Sequence, residues 1–300
     1  FGFKVSAVPF HFAAPDAYSG TSSPMASILA TASKAMGFAA LLRVLVVMAG
    51  PEFGSPAFWL PLLGLLSVVT MTWGNLAALS TENPKRMLAY SSVAHAGYLL
   101  AALAALGSGL ASQSTNEVLI TAVVFHLLVL AFFKSGAFLV LTMTEIRDNS
   151  SSMESLYGLG RRDPIIAVAM FVFMLALAGV PPLSGFLSKF LVIDGIISAS
   201  TGSGSLSAAG AIDWLNSVHW IFWLAVSMAL NSALSLFYYL RVGQVMFFEK
   251  SKSILPLPDA PMIRITVILC LILTIISGLG PFSQTLVDMA TMAAQHLLKV

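Results

Sequence analysis

Residues 164–199 read PIIAVAMFVFMLALAGVPPLSGFLSKFLVIDGIISA. One apolar run leads into Gly179-Val180-Pro181-Pro182-Leu183-Ser184-Gly185, and a second run follows it. Proline removes a backbone donor and clashes with the preceding turn, so a helix stops there. Inside lipid the freed carbonyls need partners, so such a break persists where it faces protein or a wet cavity. Lys189 follows seven residues after Pro182. A broken apolar helix beside a charged group is the pattern of an ion site in transporters.

The rest of the chain has the same apolar character. It is 58% hydrophobic and 9% charged over 300 residues, with a mean hydropathy of +0.90. Soluble domains carry about 25% charged residues, so most of this surface faces lipid. A net charge of +2 and the absence of a basic strip point away from nucleic acid. The single cysteine, Cys270, excludes an internal disulfide, and an iron–sulfur cluster normally takes four ligands. The five histidines share no metal-ligand spacing. Neither a dinucleotide fingerprint nor a phosphate loop is present.

Seven apolar runs approach the ~20 residues that span a bilayer. They cover residues 25–48, 58–79, 87–107, 118–144, 164–199, 217–247 and 262–280, and residues 1–12 read as the end of an eighth. The fold expected is an all-α polytopic bundle, one membrane domain over residues 1–300 with its N-terminal helices missing. Loop charges test this count. Lys85 and Arg86 lie in loop 80–86, Arg147, Arg161 and Arg162 in loop 145–163, and Lys250 and Lys252 in loop 248–261. Loops 49–57, 108–117 and 200–216 have no lysine or arginine and carry Glu52, Glu117 and Asp213. That alternation follows the positive-inside rule and places the basic loops in the cytoplasm and residues 281–300 on the other side, as a tail. The membrane expected is the bacterial inner membrane.

Four lysines lie within apolar stretches: Lys4, Lys34, Lys134 and Lys189. Each costs roughly 2.5–3.5 kcal/mol near a helix centre on insertion scales. Lys34 is nine residues into its run, about 14 Å at 1.5 Å per residue, too deep to snorkel. Lys4 precedes a second break, where Pro9 and Pro15 bracket Phe10-His11-Phe12-Ala13-Ala14 before Asp16. His126 and Lys134 are eight residues apart on broadly one side of a helix, a gap one or two waters would bridge. His95 lies mid-span with Ser91 and Tyr98 at helical spacing and is a further candidate. The competing readings are structural: a lysine held by a backbone carbonyl, or a hydrogen-bonded core histidine. Asp16 reads as a cap or turn residue, Lys85 and Arg86 as orientation signals, and Arg241 as an interface anchor. The tryptophans, Trp214 among them, read as interfacial belts. No Asp or Glu lies deep in a complete span, so a carboxylate partner for these lysines has to come from elsewhere.

Several blocks together resemble the antiporter-like, proton-translocating membrane subunits of NADH-quinone oxidoreductase, respiratory complex I. These are Phe3-Lys4 with Pro9-Phe10-His11 and Pro15-Asp16-Ala17-Tyr18; Asn83-Pro84-Lys85-Arg86-Met87-Leu88-Ala89-Tyr90-Ser91-Ser92-Val93-Ala94-His95-Ala96-Gly97-Tyr98; and the break before Lys189-Phe190. Ser33-Lys34-Ala35-Met36-Gly37 onward is nearest the N-type branch, whereas Phe125-His126 with Phe132-Phe133-Lys134 is more like the L-type branch and related cation antiporters. The resemblance implies 14 helices, of which this chain holds the end of the seventh through the fourteenth. It also implies an input lysine at Lys4, a connecting lysine at Lys34 and an output lysine at Lys189. Lys134 and His126 become a central relay. The glutamate pairing with Lys4 falls on a helix this chain lacks. NADH, flavin, iron–sulfur clusters and quinone are expected in partner subunits, with no cofactor on this chain. The expected partners are neighbouring antiporter-like and quinone-site subunits. A multisubunit cation/proton antiporter or a membrane-bound hydrogenase-type complex is the alternative setting.

Overall fold

The computed structural model describes residues 1–48, 59–106, 112–201, 219–250 and 256–298. Glu52, Asp213, Trp214 and Lys252 lie outside them. Every element among the described residues is helical. A single turn, α1 (Gly2–Val5), leads through a 3-10 turn (Phe10–Phe12) into α2 (Ala13–Gly20). α3 (Ser23–Ile28), a π turn (Leu29–Ser33) and α4 (Lys34–Met48) run on as one span. Then come α5 (Trp59–Ser80), α6 (Pro84–Leu106) and α7 (Gln113–Asp148). Short α8 (Leu159–Arg162) precedes α9 (Pro164–Ala178) and α10 (Ser184–Thr201). α11 (Phe222–Phe248), α12 (Pro261–Ile276) and α13 (Gly280–Leu298) complete the described chain.

The seven expected spans resolve into five unbroken helices and two broken ones. Ser23–Met48, α5, α6, α7 and α11 are each long and apolar enough to cross alone. The 164–199 run is two helices, α9 and α10, separated at the Pro181-Pro182 break. α9 starts on a cap: the Asp163 carboxylate accepts from the Ile166 amide at 3.3 Å, and Pro164 occupies the first turn. It ends on Gly179, whose φ of 85° favours glycine.

The described residues of the expected tail, 281–298, are a helix. α13 continues the last span after a bend of 88° and packs along α7, where Gln295 donates to Glu117 at 2.7 Å and Thr121 meets Thr291 at 3.4 Å. The bend is seated on the other break. Gly278 lies so close to Ser184 that an added Cβ would come within 2.6 Å of its amide.

α6 is the central post. Of its apolar window 94% is buried, against 28% for Ser23–Met48. Its contact with α5 depends on small residues: a Cβ at Gly97 would fall 2.7 Å from Met71 Cβ.

Loops 80–86 and 145–163 share one end of the bundle with the last turns of α11. The Met153 amide donates to the Glu82 carbonyl at 3.0 Å and the Gly158 amide to the Val245 carbonyl at 3.2 Å. Lys85 is more than an orientation signal. It is buried, pairs with Glu145 at 3.0 Å and donates to the Thr21 carbonyl at 2.7 Å. Arg162 forms two bonds to Asp148, both 3.1 Å, and Arg264 pairs with Asp163. Asp16 pairs with Arg86.

Candidate functional site

α6 brings Ser91, Ser92, His95 and Tyr98 to the centre of the bundle, all nearly inaccessible. The neighbouring helices aim polar groups at them. Lys34, at the end of the π turn, donates to the Ser92 carbonyl at 2.7 Å. Lys134 on α7 donates to the Ser92 hydroxyl at 2.6 Å and reaches the Ser91 hydroxyl at 3.3 Å. Two ammonium groups therefore converge on one serine, from its two oxygens.

The contacts run on from there. Ser91 Oγ and the Tyr239 hydroxyl of α11 are 2.5 Å apart. Tyr239 reaches His95 Nε2 at 3.5 Å. His95 Nδ1 meets His126 Nε2 at 3.0 Å, and His126 Nδ1 meets Ser188 Oγ at 3.1 Å. A polar chain thus extends from Lys34 through Ser92, Lys134, Ser91, Tyr239, His95 and His126 to Ser188. Serine and tyrosine hydroxyls and neutral imidazoles both donate and accept, so most of these positions can pass a proton on.

Lys189 stands next to the end of that chain. Its ammonium donates to the Ala178 carbonyl at 2.8 Å, one of the acceptors freed where α9 stops, and to Ser232 Oγ at 2.9 Å. A cavity of ≈ 350 Å³ opens beside it, lined by Gly179, Val180, Pro181, Phe186, Phe190 and Ser232 among others. The first break is satisfied differently: the Val8 amide donates to Thr70 Oγ1 at 3.1 Å.

The structure joins Lys34, Lys134, His95 and His126 and sets Lys189 beside them. Lys4 is not part of the chain. It is exposed, and its stem lies against Gly37, where an added Cβ would approach Lys4 Cγ to 2.9 Å. Lys134 and His126 need no water to bridge them, because Ser91, Tyr239 and His95 fill the interval. Tyr239, Ser188 and Ser232 escaped the sequence reading. The adjacent serines Ser91-Ser92 in an otherwise apolar span were the available signal for the junction.

The geometry defines a multi-pass helical membrane protein with a buried cationic and hydroxylic axis between broken helices. Comparison with known proteins carries this further. The family described as NADH:quinone oxidoreductase/Mrp antiporter, transmembrane, matches residues 1–212, and the chain belongs to it. Subunit N 2 of NADH-quinone oxidoreductase from Sorangium cellulosum is 38% identical over 94% of this chain and 52% of its own length. Subunit N from Heliobacterium modesticaldum is 35% identical over 99% of this chain and 56% of its own. The chain therefore spans about half the length of these curated relatives. Among solved structures, respiratory complex I from Thermus thermophilus superposes with a TM-score of 0.69 at 33% identity, over 92% of this chain and 54% of that one. The membrane-bound sulfane sulfur reductase shares the fold, with a TM-score of 0.80 at 24% identity over 99% of this chain and 54% of that one.

Proposed function

We propose that the chain is part of a proton-translocating membrane subunit of an NADH-quinone oxidoreductase, in the bacterial inner membrane with its basic loops in the cytoplasm. The observation that carries this reading is the unbroken run of polar contacts from Lys34 to Ser188. The relatives named as subunit N supply the setting. In it, this chain contributes to a translocase without handling electrons. NADH, flavin, iron–sulfur clusters and quinone belong to other subunits.

A proton enters the axis at Lys34, with Lys4 on the input side. Lys34 and Lys134 cannot both be charged cheaply around Ser92. At ~7 Å and an effective dielectric near 20, two unit charges repel by roughly 2 kcal/mol. Loading one therefore drives release from the other. The proton released at Lys134 passes by way of Ser91 and Tyr239 to His95 and His126. Lys189, beside its cavity, is the group that hands it on.

Replacing Lys34 or Lys189 by Ala in the full complex should lower both proton pumping in vesicles and coupled quinone reduction several-fold. Wild-type rates in an assembled variant would remove the basis for the proposal. A cation/proton antiporter setting is favoured only by Phe125-His126 with Lys134. It predicts transport that persists without NADH oxidation.

A further inference from the structure

The contacts leave one gap, between the imidazole pair and Lys189, and the side chain that fills it is Tyr98. Its ring stands edge-on to His95, with centroids 5.4 Å apart and an interplanar angle of 77°. The Lys189 ammonium lies 5.6 Å from the centroid of the same ring. That distance is within the range in which a desolvated cation is attracted to an aromatic face. The attraction exists only for the ammonium and vanishes for the neutral amine. Tyr98 therefore favours one charge state of Lys189, which the Ala178 carbonyl and Ser232 alone would do less selectively.

Tyr98 is itself fixed in place. Asn75 Nδ2 donates to the Tyr98 hydroxyl at 3.1 Å, to the Asn231 carbonyl at 3.0 Å and to Asn231 Oδ1 at 3.1 Å. The Tyr238 hydroxyl donates to Asn75 Oδ1 at 2.9 Å. Asn231 is tied in turn to Thr72 Oγ1 at 3.2 Å. Asn75 and Tyr98 are essentially inaccessible, and this cluster joins α5, α6 and α11. An unsatisfied amide at this depth would be costly, and this one is fully used. It also stands outside the polar chain from Lys34 to Ser188, so carrying protons does not explain it.

We propose that Tyr98 is a positioning residue for Lys189, holding the charged lysine by its ring face. This rests on the reading of Lys189 as a transfer group. The experiment is a double-mutant cycle in the full complex, reading the rate of proton pumping together with complex abundance. Tyr98→Phe keeps the ring and should stay within about twofold of wild type, whereas Tyr98→Leu should lose about fivefold or more. In a Lys189→Met background, Tyr98→Leu should add no further loss. Where Tyr98→Leu fails to assemble, Tyr98→Met is read in its place.

Equal loss in the Phe and Leu variants, or losses that multiply with Lys189→Met, would overturn the role of Tyr98. A Lys189→Met variant with wild-type pumping would instead overturn the reading of Lys189 itself, so the two failures are distinguishable.

Discussion

Ser92 shows how much one residue carries here. Its carbonyl holds Lys34 and its hydroxyl holds Lys134. A carbonyl-bound lysine is also what a purely structural lysine looks like, and only the second contact makes Ser92 a junction. At the basic end, charge serves stability instead. Glu145 accepts from Ser23 at 2.6 Å and from Ser151 at 2.7 Å besides pairing with Lys85. Glu145→Gln would leave Lys85, 4% exposed, without its counter-charge. The expected cost is about 1–3 kcal/mol, below the range for a fully buried pair because the carboxylate retains some solvent contact. Thermal unfolding of the purified complex measures it, and a Lys85→Met, Glu145→Leu double variant should be less harmful than Glu145→Gln alone. The lysines and histidines were legible in the sequence because charge in an apolar run is an anomaly on its own. Their hydroxyl partners were not, since a serine's role depends on which helix faces it.

The helix breaks were legible for a different reason. Proline reports its backbone consequence locally, and Gly179 to Gly185 ends α9 where the sequence says it should. The π turn at Leu29–Ser33 has no such marker, yet it immediately precedes Lys34 and so bears on where that lysine points. α13 was missed because residues 280–298 mix polar and apolar positions and read as a tail. They become a helix by packing one face on α7. Close approach is the other property set at this scale. Gly97→Val would force side-chain carbons into the Met71 backbone of α5, an overpacking expected to cost about 1–3 kcal/mol or more. The yield of assembled complex on native gels should fall, while Gly20→Ala, at a position with nothing nearby, should leave it unchanged.

Across the whole molecule, the loop charges point to a topology and the side-chain contacts to an axis. Loops 80–86, 145–163 and 248–261 alternate with acidic ones in sequence; the first two meet through Glu82–Met153, and loop 145–163 meets the ends of α11 and α12 through Val245–Gly158 and Asp163–Arg264. What no pattern revealed was that α6 stands at the centre and that α4 and α11 bring Lys34 and Tyr239 to it and α7 both Lys134 and His126. The central claim is that protons cross this axis from Lys134 to His126 on side chains in contact. Tyr239 is the link between Ser91 and His95, and Tyr239→Phe removes its hydroxyl while keeping the ring. The direct measurement is the rate of proton pumping by the Tyr239→Phe complex reconstituted in vesicles. The account predicts a loss of about 100-fold, the scale of one missing proton-transfer group at the low end. Pumping at the wild-type rate in the assembled variant would contradict it.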